Sequence, residues 1–333
     1  MSIKKINFLR DFSGLSRWGH NKIPFFAVVD FAGNLAAAPL EAPFLLSAGG
    51  FRGRISLGDS VLHFRFNAAS PNPATSSRPL EIAAPPPEVQ VTQAIRQLQH
   101  ELGEGYSYLV NFCSQTGIRL NTSPQALFEA SAAPFTVWLE NEFIAFSPEA
   151  FVRIAGNEIT TTPMKGTGYD AAALLADAKE QAEHATIVDL LRNDLGRGAG
   201  DIRIANYRFV GEIPQADGRV LYQTSSEIRG KMAPDWQSRI GDWLPQLLPA
   251  GSITGAPKMK TVELIRKYET EARGFFTGIA ALFDGMNFYS CVLIRYLDLA
   301  GPTLKFRSGA GITIYSDPEA EYREILSKVY IPV

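Results

Sequence analysis

The sequence predicts a mixed α+β protein, and two observations support this fold class. Short runs rich in aromatic and β-branched residues recur at 25–31, 63–66, 135–139 and 143–146, as expected for strands. Runs with apolar residues at helical spacing lie between and after them, without the regular strand–helix alternation of a parallel sheet. The chain has 333 residues, of which 46% are hydrophobic, so it can bury a large core.

Two strands and a linker come first. We expect a strand at 25–31 and another at 63–66, where apolar and polar residues alternate. The segment from Ala69 to Pro87 is rich in Pro, Ser, Asn and Ala, which favours a linker or a long surface loop. We therefore place a boundary between an N-terminal β-rich subdomain, residues 1–87, and a catalytic core, residues 88–333. We expect the two parts to pack as one unit.

The core is expected to begin with a helix followed by a strand. Val91, Ile95 and Leu98 share one helical face, and glycines near position 103 end the helix before a strand at 106–112. The later elements, in order, are expected to be strands at 135–139 and 143–146, helices at 171–195 and 261–268, a strand at 291–297 and a helix at 320–329.

Composition limits the classes of partner. A formal net charge of −2 provides no basic surface for nucleic acid, and no apolar stretch reaches the roughly 18 to 20 residues of a membrane span. Cys113 and Cys291 are too few for a disulfide framework and lack zinc-ligand spacing. The N-terminal residues lack the pattern of a secretory signal. We expect a cytoplasmic protein with reduced cysteines and a small-molecule substrate.

Four glutamates form two pairs on separate predicted helices. Glu180 and Glu183 are three residues apart, as are Glu321 and Glu324, so each pair shares one helical face. If the two faces meet, their mutual repulsion requires a cation, and oxygen-only ligands suit Mg²⁺. Each pair by itself is more often a solvated helix face than a metal site. We expect His184 to orient one of these carboxylates.

Two glycine-rich segments and two cations can receive an anionic substrate. The turn at 251–258 runs into a helix and can present backbone N–H groups to an anion, although a tight helix entry has the same pattern. The run at 309–311 allows close backbone approach, or marks a strand bulge. Arg295 and Lys328 can bind carboxylates, or lie at the surface.

Lys165 and Glu149 are the candidates for chemistry. Lys165 lies in a short turn-forming segment and is either an exposed loop residue or a buried amine. If it is buried, its pKa is expected to fall, which would make it a nucleophile. Glu149 lies between Phe146 and Phe151, and apolar surroundings would raise its pKa towards that of a general acid.

Taken together, the segments resemble the chorismate-utilizing enzymes, which include anthranilate, aminodeoxychorismate, isochorismate and salicylate synthases. The resemblance covers about Glu88 to the C-terminus. It implies an α+β fold with two β-sheets packed face to face, helices outside and the site between the sheets. It rests on ordered motifs: SPE at 147–149, PMKGT at 163–167, VDLLRNDLGR at 188–197, PAGSITGAPK at 249–258, RGFFTG at 273–278, GAGI at 309–312 and SDPEAE at 316–321.

The resemblance implies a role for each candidate residue. Chorismate would be the substrate, and Glu149 would be the acid that assists departure of its C4 hydroxyl. Mg²⁺ would hold the ring carboxylate of chorismate, and its ligands would be Glu180, Glu183, Glu321 and Glu324. The residues implied to bind substrate are Thr167, Gln223, Thr254, Gly255, Ala256, Arg295, Gly309, Ala310, Gly311 and Lys328.

Lys165 distinguishes among the activities of the family. Anthranilate synthases typically have Ala at this position, whereas the aminodeoxychorismate-forming branch has Lys. The implied reaction converts chorismate and ammonia to 4-amino-4-deoxychorismate, on the route to p-aminobenzoate and folate, through attack of the Lys165 amine at C2. Leu109 aligns with the water-activating Lys of isochorismate synthases and cannot activate water. Gln223 replaces a family His that is linked to pyruvate elimination, which fits retention of the enolpyruvyl group.

Partners and alternatives follow from the same resemblance. The chain has no glutaminase pattern of Cys, His and Glu, so ammonia would come from a separate glutaminase subunit. The N-terminal part is short relative to long family members, which implies no tryptophan binding. Two alternatives remain open: anthranilate synthase component I, and an inactive chorismate-binding regulatory paralogue.

Overall fold

The computed structural model describes residues 9, 11–40, 50–67, 79–214 and 219–332, so residues 69–78 of the linker predicted over 69–87 lie outside the described residues. The α-helices are α1 Ser13–His20, α2 Glu88–Gly103, α3 Pro124–Ala130, α4 Ala171–Ala176, α5 Ala178–Leu195, α6 Ile240–Leu247, α7 Lys258–Tyr268 and α8 Pro318–Ser327. The strands are β1 Phe25–Val29, β2 Leu35–Pro39, β3 Phe51–Leu57, β4 Ser60–Phe66, β5 Leu80–Ala84, β6 Leu109–Leu120, β7 Phe135–Leu139, β8 Phe143–Ser147, β9 Ala150–Ala155, β10 Glu158–Thr161, β11 Met164–Gly168, β12 Gly200–Pro214, β13 Val220–Lys231, β14 Gly255–Ala256, β15 Ile279–Phe283, β16 Phe288–Val292, β17 Tyr296–Asp298 and β18 Lys305–Ile312.

The strands form two nine-stranded antiparallel sheets. Sheet A has the order β11-β13-β10-β9-β16-β15-β1-β2, with β12 paired to β13. Sheet B has the order β14-β6-β18-β17-β8-β7-β4-β3, with β5 paired to β6. The N-terminal strands extend both sheets, because β1 pairs with β15 in sheet A and β4 pairs with β7 in sheet B. Residues on both sides of position 87 therefore share hydrogen-bonded sheets.

A shared apolar core shows that the sheets pack face to face. Phe26 of β1 stacks on Phe64 of β4 with ring centroids 4.1 Å apart, and both side chains are fully buried. The opposite face of β1 packs towards Trp236 and α6, which explains why all five residues of this strand are buried. Helices α2, α7 and α8 cover the outer face of sheet B around β6 and β18. The predicted α+β class, with two facing sheets and outer helices, is confirmed.

Several predicted elements match the structure, and three differ from it. Helices were correctly expected near 91–102, 261–268 and 320–329, and strands at the four aromatic runs. The helix expected over 171–195 is broken at Asp177, whose extended backbone and side chain cap α5 by accepting a hydrogen bond from the Glu180 N–H. Asp is a strong N-cap residue, and this local bond ends the continuity of the helical pattern.

The strands expected at 106–112 and 291–297 are also different. The strand expected at 106–112 begins only at Leu109. The Ser107 hydroxyl donates to the Ala256 carbonyl, and the Tyr106 N–H donates to the backbone carbonyl of Glu101, so these residues do not extend the strand. The second is interrupted: β16 ends at Val292 in sheet A and β17 starts at Tyr296 in sheet B. The chain passes between sheets at Arg295, which has a φ of +51°. An uninterrupted strand could not change sheets within so few residues.

Candidate active site

Lys165 projects from a bulge at the edge of sheet A. Strand β11 pairs with β13, and the register shifts between Met164 and Thr167, where Gly166 has a φ of +82°. The Thr224 hydroxyl donates to the Lys165 carbonyl and holds the bulge in place. A Cβ atom at Gly311 of β18 would lie 3.3 Å from the Lys165 Nζ. The amine therefore reaches from sheet A to the glycine run of sheet B.

The surroundings of Lys165 change its expected chemistry. Its Nζ lies 2.6 Å from Glu183 Oε2, and its side chain is 26% exposed. Burial lowers the pKa of the amine, but the carboxylates of Glu183, Glu180 and Glu324 outweigh burial and raise the pKa overall. The prediction that the pKa of a buried Lys165 would fall is therefore wrong, because the carboxylates outweigh the effect of burial. The ammonium is stabilised by glutamates from both α5 and α8.

The four predicted glutamates differ in environment. Glu183 and Glu321 are 8% and 5% exposed, whereas the Glu324 side chain is about half-exposed and contacts the Lys328 ammonium at 2.6 Å. A Cβ atom at Gly166 would lie 2.7 Å from Glu180 Oε2, so only Gly leaves room for this carboxylate. Carboxylates from both predicted helices thus surround one ammonium.

These side chains suit a hard divalent cation by their chemistry, although they do not yet converge as ligands. No group of three or more His, Cys, Asp or Glu side chains among the described residues is close enough to hold a metal ion. The donors are all oxygen atoms, which Mg²⁺ prefers. Glu183 contacts the Lys165 ammonium and Glu324 contacts the Lys328 ammonium, so the four carboxylates and two ammoniums together carry a net charge of −2, which one Mg²⁺ would balance. Binding of Mg²⁺ therefore stays a prediction, and the oxygen donors present are of the kind that this ion prefers.

Glu149 lies in the loop between β8 and β9 and has the environment of an acid. Its Oε1 accepts a hydrogen bond from the Ser252 hydroxyl at 2.5 Å. Burial raises the pKa of Glu149, while that hydrogen bond and the nearby Arg295 act against the rise. The guanidinium of Arg295 also stacks over the Tyr330 ring, 4.9 Å from its centroid. The structure thus brings together Glu149, Arg295 and the turn that carries Ser252.

The turn at 251–257 is constrained by glycine and by backbone carbonyls. Gly255 has a φ of +135°, and a Cβ atom there would lie 1.8 Å from the Leu109 carbonyl. The neighbouring Thr254 hydroxyl donates to the carbonyls of Ala250 and Gly251 at 3.0 and 3.2 Å, and Ala256 pairs with Leu109 in the β14–β6 ladder. Every non-glycine residue at position 255 would collide with β6.

Lys258, which the sequence placed in the anion-binding turn, points into the protein. Its ammonium contacts Asp194 Oδ2 at 2.6 Å and donates to the Leu247 carbonyl at 3.0 Å. Its side chain is only 4% exposed. The charge of Lys258 is therefore used internally, and binding of a substrate anion at this turn would rely on other groups.

The glycine run and the strand pair beside Lys165 hold the remaining candidates. Gly309 pairs with Cys113, and a Cβ atom at Gly309 would lie 2.6 Å from the Cys113 sulfur. The Gly309 carbonyl accepts a hydrogen bond from Lys328 at 2.8 Å. The remaining candidates are placed by register: Ala310 and Gly311 follow in β18, and Thr167 faces Gln223 across the β11–β13 pair.

A buried hydrogen bond behind the glutamates was not predicted. His184 Nε2 lies 2.6 Å from the Ser226 Oγ, so His184 binds this hydroxyl rather than a carboxylate as expected. Burial lowers the pKa of His184 to about 4, which keeps the imidazole neutral at physiological pH. Ser226 also accepts from the Arg208 N–H at 2.9 Å. A lone Ser on a strand carries no sequence signal for this contact.

Comparison with known proteins defines the class. The sequence profile described as chorismate binding enzyme matches residues 56–332, so the chain belongs to the chorismate-binding enzyme family. This confirms the family that the motifs indicated. None of the described helices has both the length and the apolar character needed to cross a membrane.

Individual relatives differ in length and in reaction. A protein from Haemophilus influenzae described as PabA-like is 42% identical over 324 residues, covering 96% of this chain and 95% of the relative. Aminodeoxychorismate synthase component 1 of Escherichia coli is 32% identical, covering 72% of this chain and 56% of that protein. Anthranilate synthase component 1 of Archaeoglobus fulgidus is 30% identical, covering 69% of this chain and 58% of that protein.

Solved structures support the fold. The menaquinone-specific isochorismate synthase of Escherichia coli superposes with a TM-score of 0.68 at 19% identity, covering 97% of this chain and 82% of that one. Anthranilate synthase component I of Streptococcus pneumoniae gives a TM-score of 0.64 at 23% identity, covering 75% and 59%. Proteins with different reactions share this architecture, so the fold alone does not select the reaction.

Proposed function

We propose that the protein is an aminodeoxychorismate synthase component I, which converts chorismate and ammonia to 4-amino-4-deoxychorismate in the cytoplasm, for p-aminobenzoate and folate synthesis. The observation that carries the proposal is the position of the Lys165 amine, between Glu183 of α5 and Gly311 of β18. Anthranilate synthases, which typically have Ala here, would have no amine at this point. The relatives from Bacillus subtilis and Escherichia coli that are named for this reaction are consistent with the proposal.

The first half-reaction joins Lys165 to the substrate. The Nζ lone pair forms a bond to C2 of chorismate, the C1–C2 double bond shifts to C1–C6, and the C5–C6 double bond shifts to C4–C5 as the C4–O bond breaks. Glu149, whose raised pKa favours the acid form, donates the proton that makes the leaving hydroxyl water. The proton that Lys165 must lose can pass to Glu183, whose Oε2 lies 2.6 Å away.

The second half-reaction reverses these shifts. Ammonia forms the bond to C4, both double bonds return, and the C2–N bond to Lys165 breaks. A separate glutaminase subunit would supply the ammonia. Arg295, Lys328 and the turn at 251–257 would bind the carboxylates of chorismate. Glu180, Glu183, Glu321 and Glu324 would hold Mg²⁺, which when bound would supply positive charge to the ring carboxylate.

The product assay separates this proposal from its alternatives. Purified protein is incubated with chorismate, Mg²⁺ and ammonium, and products are separated with and without added aminodeoxychorismate lyase. We expect p-aminobenzoate only when the lyase is present. Fluorescent anthranilate and pyruvate formed without the lyase would identify an anthranilate synthase, and a protein that binds but never consumes chorismate would be a regulatory paralogue.

Mass spectrometry tests the covalent step directly. With chorismate and Mg²⁺ but no ammonia, we expect an adduct on the peptide that carries Lys165, with the mass of chorismate less one water. The Lys165→Met variant should form no adduct. An unmodified Lys165 in a protein that still makes aminodeoxychorismate would rule out the nucleophile role while leaving the overall reaction in place.

A further inference from the structure

A buried ion pair joins three helices behind the turn at 251–257. Lys258 is the first residue of α7, and its ammonium contacts Asp194 Oδ2 at 2.6 Å, near the end of α5. The same ammonium donates to the carbonyl of Leu247, the last residue of α6. Both charged side chains are about 95% buried. The mechanism above uses neither of them.

Asp194 lies close to the start of the turn and pairs with the residue that follows its end. The turn leaves α6 at Leu247 and enters α7 at Lys258. Gly251, near its start, lies so close that a Cβ atom there would be 2.8 Å from Asp194 Oδ2. The segment between these two contacts carries Thr254, Gly255 and Ala256. One carboxylate on α5 therefore lies against Gly251 and pairs with Lys258, on either side of the segment that contains the predicted substrate-binding residues.

A second buried cation holds the middle of the turn from the opposite side. Arg273 donates to the Ile253 carbonyl at 2.8 Å and to the Asn111 carbonyl at 2.6 Å. Its charge is paired with Glu269 at 2.6 Å. The Asn111 N–H donates to the Thr254 carbonyl at 2.8 Å, which ties the turn to β6. The Asp194–Lys258 pair thus joins the end of the turn to α5, and Arg273 reinforces the attachment of the turn to β6 of sheet B.

The cost of burying both charges indicates that the Asp194–Lys258 pair positions the turn rather than stabilises the fold. Burial lowers the pKa of Lys258 and raises that of Asp194, and in each case it outweighs the attraction between the partners. A buried pair of this kind stabilises a fold no better than well-packed apolar side chains of similar volume. Apolar side chains, however, could neither pair α7 with α5 through a charge nor donate to the Leu247 carbonyl, as Lys258 does.

We infer that Asp194 and Lys258 are positioning residues that fasten the turn at 251–257 to α5, and so keep the substrate-binding turn in register with Glu180 and Glu183 of the same helix. The assignment of this turn to chorismate rests on the proposed function. The tether itself does not, because it is defined by the contacts of Asp194 with Gly251 and Lys258.

Lys258→Met tests the tether, because Met keeps the length and apolar stem of Lys without the charge. Amide hydrogen exchange of peptides from 248–257 should accelerate at least about tenfold in this variant. The Kd for chorismate, measured by protein fluorescence with Mg²⁺, should rise about 10- to 100-fold. Lys258→Arg, which keeps the charge, should recover part of both effects.

Two further variants separate positioning from general loss of stability. Arg65→Met removes another buried cation, because Arg65 of β4 donates to the carbonyls of Phe128 and Glu129 in α3. This variant should lower the Tm without changing amide exchange at 248–257. The double variant Lys258→Met with Asp194→Asn removes both charges and should regain Tm relative to Lys258→Met. Its exchange and its Kd should nevertheless stay raised.

The outcomes distinguish the two proposals. Unchanged exchange at 248–257 in Lys258→Met would overturn the tether, whatever the protein does with chorismate. Recovery of both exchange and Kd in the double variant would also overturn it, because stability alone would then explain the defect. A native protein that binds no chorismate, while exchange responds as expected, would contradict the proposed function and leave the tether standing.

Discussion

Replacing Lys165 with Met removes the ammonium that neutralises Glu183, and the structure gives the size of the expected effect. The Nζ–Oε2 distance is 2.6 Å, and the Glu183 side chain is 9% exposed. Breaking a fully buried ion pair lowers the free energy of unfolding by about 3–5 kcal/mol. Because the Lys165 side chain is 26% exposed and solvent screens part of the interaction, we expect Lys165→Met to lower the free energy of unfolding by about 2 kcal/mol. For a chain of 333 residues this corresponds to a Tm lower by about 3 °C.

The assay is thermal unfolding in the presence of a chelator and then with Mg²⁺. Without Lys165, the glutamates have lost one compensating charge, so Mg²⁺ should raise the Tm of the variant more than that of the native protein. The matched control is Lys305→Met, because Lys305 pairs with Glu271 at 2.9 Å with both side chains one-third to one-half exposed. That surface pair is worth about 0.5 kcal/mol, and its loss should not respond to Mg²⁺.

The same variant should lose catalysis. Formation of aminodeoxychorismate should fall by about 10³-fold or more, since the variant lacks the amine proposed to form the bond at C2. An unchanged Tm in chelator, or equal stabilisation of both proteins by Mg²⁺, would refute the role of Lys165 as a cation that compensates the glutamates. Retained synthase activity would refute its role as nucleophile.

Three other changes have defined outcomes. Burial raises the pKa of Glu149, so the buried carboxylate destabilises the fold as pH rises above 4.5, the pKa of Glu in the unfolded chain. Glu149→Gln should therefore raise the Tm at pH 7, measured by calorimetry. The same variant should lower turnover about 10²-fold in the product assay. Burial lowers the pKa of His184 from 6.5 to about 4. The free energy of unfolding, measured by urea titration, should therefore fall by about 2–3 kcal/mol as pH drops from 6.5 to 4. His184→Gln should abolish this pH dependence. Gly255→Ala should eliminate measurable chorismate binding by calorimetric titration, because the new methyl group would meet the Leu109 carbonyl, whereas Gly103→Ala, at the open end of α2, should bind normally.

Much of the fold could be predicted because local patterns agree with tertiary packing. The apolar run at 25–31 predicts a strand, and the structure buries β1 on both faces, between Phe64 on one side and Trp236 on the other. The spacing from Val91 to Leu102 predicts α2, whose apolar face packs on β6. The errors occur where one side chain overrides the pattern, as at the Asp177 cap.

Some proximities among the candidate residues could be predicted from the sequence, such as that of Lys165 to Glu183, but their electrostatics could not. Motifs identify Lys165, Glu149 and the glutamates as residues of one site. The direction of the Lys165 pKa shift depends on whether burial or neighbouring carboxylates dominate, and only the packing of α5 against β11 decides that. The interior orientation of Lys258 is a similar case, because its partner Asp194 lies on a different helix.

By itself, the sequence determined the α+β class, the family and the identity of the chemical groups, since these depend on local spacing and residue type. Tertiary structure alone decided where the chain crosses between sheets at Arg295, which charges meet, and how each is compensated. The physical reason is that hydrogen bonds and charge interactions act over a few ångströms in space between residues far apart in the chain, as Lys165 and Gly311 are.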